Sequence, residues 1–310
     1  MLKFPRPAQP TYDVLIVGAS NAGLSAALVL GRARRRVLVL DGGPPRNAPA
    51  FHTHSFFTRD GAAPQEVLRI GREQLRPYDV EICATAATKV RPTAEGFTLT
   101  LATGAEATAP ALLLATGVAD ELPPVPGLAE LWGRGAYHCP YCHGWENRYN
   151  RVAVYGRGEA GYQQAVLLHQ WSPELTLCTD GPADLTPAQQ EHLARLQVRV
   201  LENPVAALDG SIRCLRALEF QDGSRLGIDA LFLRPMQRQR SDLAAQLGCA
   251  FSPDGTFVQV TETGLTSVPG VYAVGDMAGP LQQALLAAAS GTRAAAALNN
   301  ELIFSSLITA

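Results

Sequence analysis

Short runs of apolar residues alternate along this chain with longer segments in which apolar and polar residues are mixed. Tyr12–Val17 and Val37–Leu40 are two such runs, and the mostly apolar segment Leu24–Leu30 lies between them. Short apolar runs of this kind, with Asp13 as the one charged residue near the start of the first, are typical of strands that are buried on both faces of a parallel sheet. The pattern predicts a strand, a helix and a second parallel strand, which is how a doubly wound α/β sheet begins.

The same order of elements recurs about 140 residues further on, which indicates an internal duplication. Arg151–Tyr155 and Leu175–Cys178 are predicted strands, and Tyr162–Gln170 is the predicted helix between them. Ala111–Ala115 and Val268–Val274 are further predicted strands, and the second of these leads into a helix that closes the chain. We therefore expect two copies of one α/β nucleotide-binding fold.

Two segments between these copies have the composition of linkers. Residues 123–127 contain three prolines and a glycine, and Arg234–Arg240 is polar and contains Pro235. Proline and glycine at this density interrupt helices and strands. We predict that the chain leaves the first fold at the former segment and returns to it at the latter.

Composition narrows the class of protein. The chain has 310 residues, of which 47% are apolar and 17% charged, and its net charge is -2. This composition is typical of a globular protein. The small negative net charge provides no electrostatic attraction for nucleic acid or an anionic membrane. Residues 1–11 have no apolar core of a signal peptide, and no apolar run approaches the ~18 residues of a membrane span. We expect a cytoplasmic protein whose six cysteines form one functional pair and otherwise stay reduced.

The first candidate binding site is the turn after the first predicted strand. Gly18 permits a tight turn and Gly23 permits close packing of helix on strand, while Ser20 stands where the usual motif has its middle glycine. Asp41 ends the second strand, where a carboxylate accepts hydrogen bonds from a ribose diol. This combination predicts a bound dinucleotide, whereas glycines alone are also found in ordinary strand–helix turns.

The second turn has the complete glycine motif, at Gly156, Gly158 and Gly161. Asp180 ends the strand that follows, and its carboxylate suits the free 2′-hydroxyl of NAD and repels the 2′-phosphate of NADP. The turn predicts a nicotinamide site, and a degenerate fold that has lost its ligand is the alternative.

The strongest chemical signal is the pair Cys139 and Cys142, which is flanked by His138 and His143. Two thiols at this spacing can close a disulfide across one turn of backbone, and a helical first turn lowers a thiol pKa. Covalent haem attachment to such a motif normally follows export, for which the sequence has no signal. Structural zinc sites usually need a second cysteine pair, which the sequence lacks. Two buried structural thiols are the simplest remaining alternative. Because predicted nucleotide-binding turns lie on both sides of this pair in the sequence, we predict that the pair is redox-active and binds no metal.

Several polar residues are candidates to assist this pair. His143 is placed to move a proton near neutral pH, although a histidine there also satisfies local backbone groups. His52 and His54 alternate and point the same way if their segment is extended, but a loop is the simpler interpretation. Arg46 and Asn47 follow a Gly-Gly-Pro-Pro turn and are candidate contacts to the edge of a flavin.

Taken together, the chain resembles the low-molecular-weight thioredoxin reductase family along essentially its whole length. The resemblance is carried by Gly18–Gly23, Ala115-Thr116-Gly117, the cysteine pair, the second glycine turn and the segment Thr266–Asp276. It implies an α/β fold of the pyridine nucleotide-disulfide oxidoreductase type, with two Rossmann-like nucleotide-binding domains, the second inserted into the first. The expected ranges are 1–118 and 241–310 for an FAD-binding domain, and 119–240 for a nicotinamide-type domain that carries the cysteine pair. It also implies a homodimer.

The same resemblance implies residue roles. Cys142 would face the flavin, and Cys139 would exchange with the sulfur of the substrate. The residues that would join Gly18, Ser20, Gly23, Asp41 and Asn47 in holding FAD are Thr116, Gly117, Gly275, Asp276, Gln283 and Ala284.

Two departures from the family pattern bear on the direction of electron flow. His143 replaces the usual acidic residue, and Thr179-Asp180-Gly181 replaces the basic run that binds NADPH. Both changes resemble the related dithiol oxidases, which pass electrons from a small dithiol through FAD to oxygen. We expect an FAD-dependent thiol–disulfide oxidoreductase acting on a thioredoxin-like protein or a small disulfide or dithiol, with NADH or NADPH as open donors. A dithiol oxidase and a non-enzymatic flavoprotein sensor are the alternatives, and a reductase-type enzyme is slightly favoured.

Overall fold

The computed structural model describes residues 12–212 and 214–308, so the predicted absence of a signal peptide in residues 1–11 lies outside the described residues. The strands, numbered in chain order, are β1 (Val14–Val17), β2 (Val37–Leu40), β3 (Val80–Cys83), β4 (Ala87–Thr93), β5 (Gly96–Leu101), β6 (Glu106–Ala109), β7 (Ala111–Leu114), β8 (Val118–Glu121), β9 (Ala136–Tyr137), β10 (Val152–Tyr155), β11 (Leu175–Cys178), β12 (Arg199–Leu201), β13 (Val205–Ser211), β14 (Cys214–Phe220), β15 (Arg225–Gly227), β16 (Ala230–Leu233), β17 (Met236–Gln239) and β18 (Val271–Ala273). The helices are α1 (Asn21–Arg32), α2 (Pro64–Leu75), α3 (Leu128–Leu131), α4 (Pro140–His143), α5 (Gly158–Leu168), α6 (Pro187–Arg195), α7 (Leu243–Gln246) and α8 (Ala284–Ile308).

Contacts between residues divide the described chain into two compact units. Unit 1 comprises 12–46, 65–119 and 238–308, and unit 2 comprises 47–64 and 120–237. The chain passes between them four times: after residue 46, after residue 64, within β8 and within β17. The strands β8 and β17 form a two-stranded sheet. The expected ranges put residues 47–64 with the first domain, whereas in the structure this segment packs within unit 2.

Unit 1 is built on a parallel sheet with the order β18-β7-β1-β2-β3. Every residue of β1, β2 and β7 is buried, as their uninterrupted apolar runs predict. One face of the sheet packs against α1 and α8, and the other against the antiparallel sheet β4-β5-β6 and α7. The carboxyl ends of the parallel strands therefore meet at one edge.

Unit 2 repeats this plan with a second parallel sheet, in the order β12-β11-β10-β16-β9. One face packs against α5 and α6, and the other against α3 and the antiparallel sheet β13-β14-β15. The predicted α/β class with two Rossmann-like folds is confirmed. Within the ranges that the structure describes, no helix has the length and apolar character needed to cross a membrane.

Candidate functional site

The first glycine turn joins β1 to α1. Gly18 has φ +115°, and a Cβ there would overlap the carbonyl oxygen of Ala115, while a Cβ on Gly23 would overlap the carbonyl oxygen of Gly18. Only glycine permits this close approach of strand, turn and helix. Ser20 is the N-cap of α1 but its side chain makes no capping hydrogen bond, so it does not cover the positive end of the helix.

Asp41 directly follows β2, beside this turn at the carboxyl edge of the sheet. Its Oδ1 accepts a hydrogen bond from the Gly43 amide at 3.2 Å, and its Oδ2 pairs with Arg72 of α2 at 2.7 Å. Arg72 gave no signal in the sequence, because a single arginine in the last turn of an amphipathic helix is ordinary.

The chain passes the same edge again after β7 and after β18. Gly117 has φ +70°, with no atom within 4 Å of the place where a Cβ would stand, and Thr116 donates to the sulfur of Met277 at 3.4 Å. Gly275 has φ +74°, and its amide donates to Ser290 Oγ of α8 at 3.0 Å.

A partly buried ion pair between Arg46 and Asp276 holds the segment that follows Gly275. Asp276 Oδ2 lies 3.2 Å from Arg46 Nη1, and the same nitrogen donates to Gln282 Oε1 at 2.5 Å. Gln283 precedes α8, which begins at Ala284, and its carbonyl accepts the Ala287 amide at 2.9 Å. Asn47, for which a flavin contact is also predicted, belongs to unit 2, and its carbonyl accepts the Ala50 amide.

The second glycine turn joins β10 to α5 in unit 2. Gly161 approaches Gly156 so closely that a Cβ there would stand 2.6 Å from the Gly156 carbonyl, as the motif predicts. The Gly158 amide, however, donates to the carbonyl of Ala183 at 2.8 Å, and the Arg157 guanidinium donates to the carbonyl of Asp180 at 2.6 Å. The loop 180–184 thus lies against the glycine turn.

Both carboxylate oxygens of Asp180 have partners within the chain. Oδ2 accepts the Tyr155 hydroxyl at 2.8 Å and Oδ1 accepts the Val205 amide at 2.7 Å. Burial and this hydrogen bond raise the pKa of Tyr155 to about 12, so the phenol remains a donor. Asp180 therefore ties β10 and β13 to the loop that follows β11.

Cys139 and Cys142 form a disulfide with a Cα–Cα distance of 5.3 Å. Pro140 starts the one-turn helix α4, which fits its fixed φ and missing amide hydrogen, and Cys139 is the extended N-cap. The amides of Cys142 and His143 both donate to the Cys139 carbonyl at 3.2 Å. The predicted helical turn at the cysteine pair is confirmed.

His143 ends this turn and sits in a confined place. Its ring stacks on Tyr137 with centroids 4.3 Å apart, and its Nδ1 is buried without a hydrogen-bond partner among the described residues. Burial, and then the nearby imidazoles of His54, His138 and His52, lower the pKa of His143 to about 4. At neutral pH the ring is therefore an uncharged base.

The segment 47–64 brings two more histidines to the same place. The ring centroid of His54 lies 6.4 Å from that of His143, edge to face, and 5.9 Å from that of His52. His54 Nδ1 lies 3.7 Å from Asp60 Oδ1, and its Nε2 lies 3.5 Å from Glu146 Oε1. The prediction left the roles of these histidines open, and no sequence signal identified the carboxylates.

Asn147 holds the surroundings of His143 together. Its amide nitrogen donates to the His143 carbonyl at 2.8 Å, and its side chain is hydrogen-bonded to the Tyr137 hydroxyl. Within the described residues, no group of three or more histidine, cysteine or acidic side chains is arranged to hold a metal ion.

The exposed side chains beside the disulfide are aromatic. Tyr141, between the two cysteines, is 60% exposed and its ring meets Trp171 edge to face. Trp145 and Tyr149 are also exposed, and the guanidinium of Arg148 lies over both rings, 4.0 Å and 4.7 Å from their centroids. A substrate that approaches the disulfide in unit 2 meets flat aromatic surfaces.

Comparison with known proteins agrees with this architecture. The family model described as pyridine nucleotide-disulphide oxidoreductase matches residues 12–291. The thioredoxin reductase tcpT of Claviceps purpurea is 33% identical, over 94% of each chain. Among solved structures, HlmI is 37% identical with a TM-score of 0.92, over 97% of this chain and 95% of that one. An oxidoreductase from Agrobacterium tumefaciens is 35% identical with a TM-score of 0.89, over 95% of this chain and 99% of that one.

Proposed function

This chain belongs to the pyridine nucleotide-disulphide oxidoreductase family, and we propose which of its residues carry out the flavin-dependent thiol–disulfide oxidoreduction of its thioredoxin-reductase-like members. The family uses FAD and a pyridine nucleotide. The observation that carries the proposal is the Cys139–Cys142 disulfide on its one-turn helix with His143 at the end of the turn.

FAD fits the carboxyl edge of the sheet in unit 1. An uncapped helix N-terminus suits the pyrophosphate, and Asp41 suits the adenosine ribose. The remaining predicted FAD contacts in this unit come after β7 and β18, at the same edge: Thr116, Gly117, Gly275, Asp276, Gln283 and Ala284. Arg46 joins this set because it holds both Asp276 and Gln282. When bound, FAD supplies a two-electron carrier between the cysteine pair and a second substrate.

The cysteine pair exchanges with the substrate through a mixed disulfide. In the oxidising direction, a substrate thiolate attacks Cys139 Sγ, the Cys139–Cys142 bond breaks, and Cys142 leaves as a thiolate. The second thiolate of the substrate then attacks its own sulfur in the mixed disulfide, which closes the substrate disulfide and releases Cys139. The pair loses two electrons when its disulfide forms again. We propose that His143 accepts the proton of a thiol, because it ends the same one-turn helix as Cys142 and its Nδ1 has no partner among the described residues.

We assign the oxidising direction because the second glycine turn does not fit a nicotinamide nucleotide. Its Gly158 amide is bonded to the Ala183 carbonyl and the Arg157 guanidinium to the Asp180 carbonyl, so the loop 180–184 lies against the turn. A nucleotide would have to break the bond to Gly158 before its pyrophosphate reached the glycine turn. The net reaction is a dithiol plus oxygen giving a disulfide plus hydrogen peroxide, which balances two electrons and two protons.

Aerobic turnover tests this assignment. With dithiothreitol as substrate and no nicotinamide, the holoenzyme is expected to consume oxygen and to form one peroxide for each disulfide. NADPH-dependent reduction of a thioredoxin or of a small disulfide, without oxygen uptake from the dithiol, would instead establish a reductase. A reductase is the second candidate function. It is supported by the family's use of pyridine nucleotides and by the names of relatives such as tcpT.

Single cysteine variants test the two roles. In Cys142→Ser, the Cys139 thiolate is expected to attack added oxidised glutathione, release one glutathione thiolate and keep the other as a mixed disulfide, seen as an added mass on the intact protein. Cys139→Ser is expected to form no such adduct and to lose turnover. Cys214→Ser is the matched control, because Cys214 is a free thiol and is expected to be irrelevant. An adduct on Cys142 in place of Cys139 would reverse the two assignments.

Assembly as a homodimer is part of the proposal. Exposed apolar side chains in α8 and just before it support this assembly. They are Leu281, Leu285, Leu286, Ile303 and Phe304. Light scattering coupled to size exclusion is expected to give twice the mass of the 33.0 kDa chain. A monomer mass would contradict it.

A further inference from the structure

His54 and two carboxylates form a second group of titratable side chains beside the cysteine turn. Only 17% of the His54 side chain is exposed, whereas Asp60 is 72% and Glu146 38% exposed. His54 therefore lies between His143 and acids that reach solvent, and all four side chains belong to unit 2.

A proton on His143 needs an onward acceptor. The ring is covered on one face by Tyr137, and its Nδ1 has no partner among the described residues. Burial disfavours the imidazolium, and the titratable groups around it offer little compensation, since three of them are the imidazoles of His52, His54 and His138. A proton that His143 accepts is consequently short-lived unless it moves on.

The surroundings of His54 suit that acceptor. Its two ring nitrogens lie 3.7 Å and 3.5 Å from the Asp60 and Glu146 carboxylates, and its ring meets the ring of His143 edge to face with 6.4 Å between centroids. Proton transfer between two such neighbouring side chains can pass through one water molecule. Glu146 lies three residues after His143, so the same turn of chain carries the base and one end of the route.

We propose that His54 is a positioning residue that relays protons between His143 and solvent, with Glu146 and Asp60 as the outer acceptors. The inference rests on the proposed function, because it assumes that His143 accepts protons from thiols at the Cys139–Cys142 pair. His52 is not part of the relay, since its Nδ1 lies 3.0 Å from the Gly61 carbonyl.

The test compares His54→Phe with His52→Gln, a change of the same residue type two positions earlier. The measurement is the rate at which dithiothreitol bleaches the flavin of the holoenzyme without oxygen, between pH 6 and 9. His54→Phe is expected to slow it about tenfold, less than the roughly 10²–10⁴-fold of a group that acts directly on the reacting atoms, with recovery in added imidazole. His52→Gln is expected to remain within about twofold of the unmodified protein.

A second readout does not depend on turnover. After reduction of the pair, the pH profile of iodoacetamide alkylation at Cys139 and Cys142 is expected to be the same in His54→Phe and in the unmodified protein. A shifted profile would mean that His54 shapes the thiols themselves, which overturns the relay. His54→Asn, with its smaller side chain, replaces the phenylalanine variant if that protein does not fold.

The two hypotheses fail differently. If dithiothreitol does not bleach the flavin of the unmodified protein, the proposed function fails. If it does, and His54→Phe bleaches equally fast or imidazole gives no recovery, the proposed function stands and the relay is wrong.

Discussion

Replacing His143 by phenylalanine should make the second unit less sensitive to acid. The aromatic ring keeps the stacking on Tyr137 but has no proton to bind. In the unmodified protein, the pKa of His143 is lowered from 6.5 to about 4, chiefly by burial. The folded state therefore binds this proton more weakly than the unfolded state does, so the histidine costs stability as the pH falls.

The magnitude follows from these two values. The cost is small at pH 7, where both states are mostly deprotonated, and it grows as the pH falls below 6.5 and levels off below the folded pKa. Linkage gives a loss of about 2 kcal/mol in unfolding free energy at pH 5 relative to a residue that does not titrate. His143→Phe is expected to lack that loss.

Tryptophan emission during urea unfolding measures the unfolding free energy of unit 2, because all three tryptophans lie in that unit. They are Trp132, Trp145 and Trp171. The difference in unfolding free energy between the two proteins should change by about 2 kcal/mol from pH 7.5 to pH 5, with the variant gaining. Other titrating groups are common to both proteins and cancel. Parallel pH profiles would refute the account of a buried, uncharged His143.

Two further substitutions test the nucleotide turns. Gly18→Ala is expected to abolish FAD binding because its Cβ overlaps the carbonyl of Ala115, whereas Gly43→Ala, with φ +123° but no atom within 4 Å, should retain FAD; equal flavin content would contradict this. Asp180→Ala is expected to cost unit 2 about 2–3 kcal/mol, measured by tryptophan emission, since it leaves the Tyr155 hydroxyl and the Val205 amide unpaired. Unchanged stability with a weakened response to NADH would show that Asp180 binds a ribose.

The sequence allowed β1, β2, β7, β10, β11 and β18 to be predicted because they are mostly apolar runs, whereas β3, β9, β12 and β16 of the two parallel sheets were not predicted. Val37–Leu40 and Leu175–Cys178 have the predicted bounds, while α5 begins at Gly158, four residues before the predicted helix, since the glycine turn itself supplies its first residues. The antiparallel sheets of both units were missed. Their strands mix exposed and buried residues, and their pairing depends on contacts that no local pattern encodes.

Around the candidate site, the sequence predicted the reactive residues but not the side chains that surround them. The spacing of Cys139 and Cys142 was sufficient to predict their disulfide turn. The position of His54 beside His143 was not predictable, because it depends on residues 47–64 packing in unit 2, where the Pro49 carbonyl accepts a hydrogen bond from Arg134. The bonds that engage Asp180 were equally hidden, since the same carboxylate at a strand end also suits a ribose.

The most direct test of the central claim is the absorbance of the bound flavin, without oxygen, while NADH, NADPH and then dithiothreitol are added in turn. Our account predicts that neither nucleotide bleaches it, that dithiothreitol does, and that air restores it. Rapid bleaching by either nucleotide would contradict the account and would make this protein a reductase with a named electron donor.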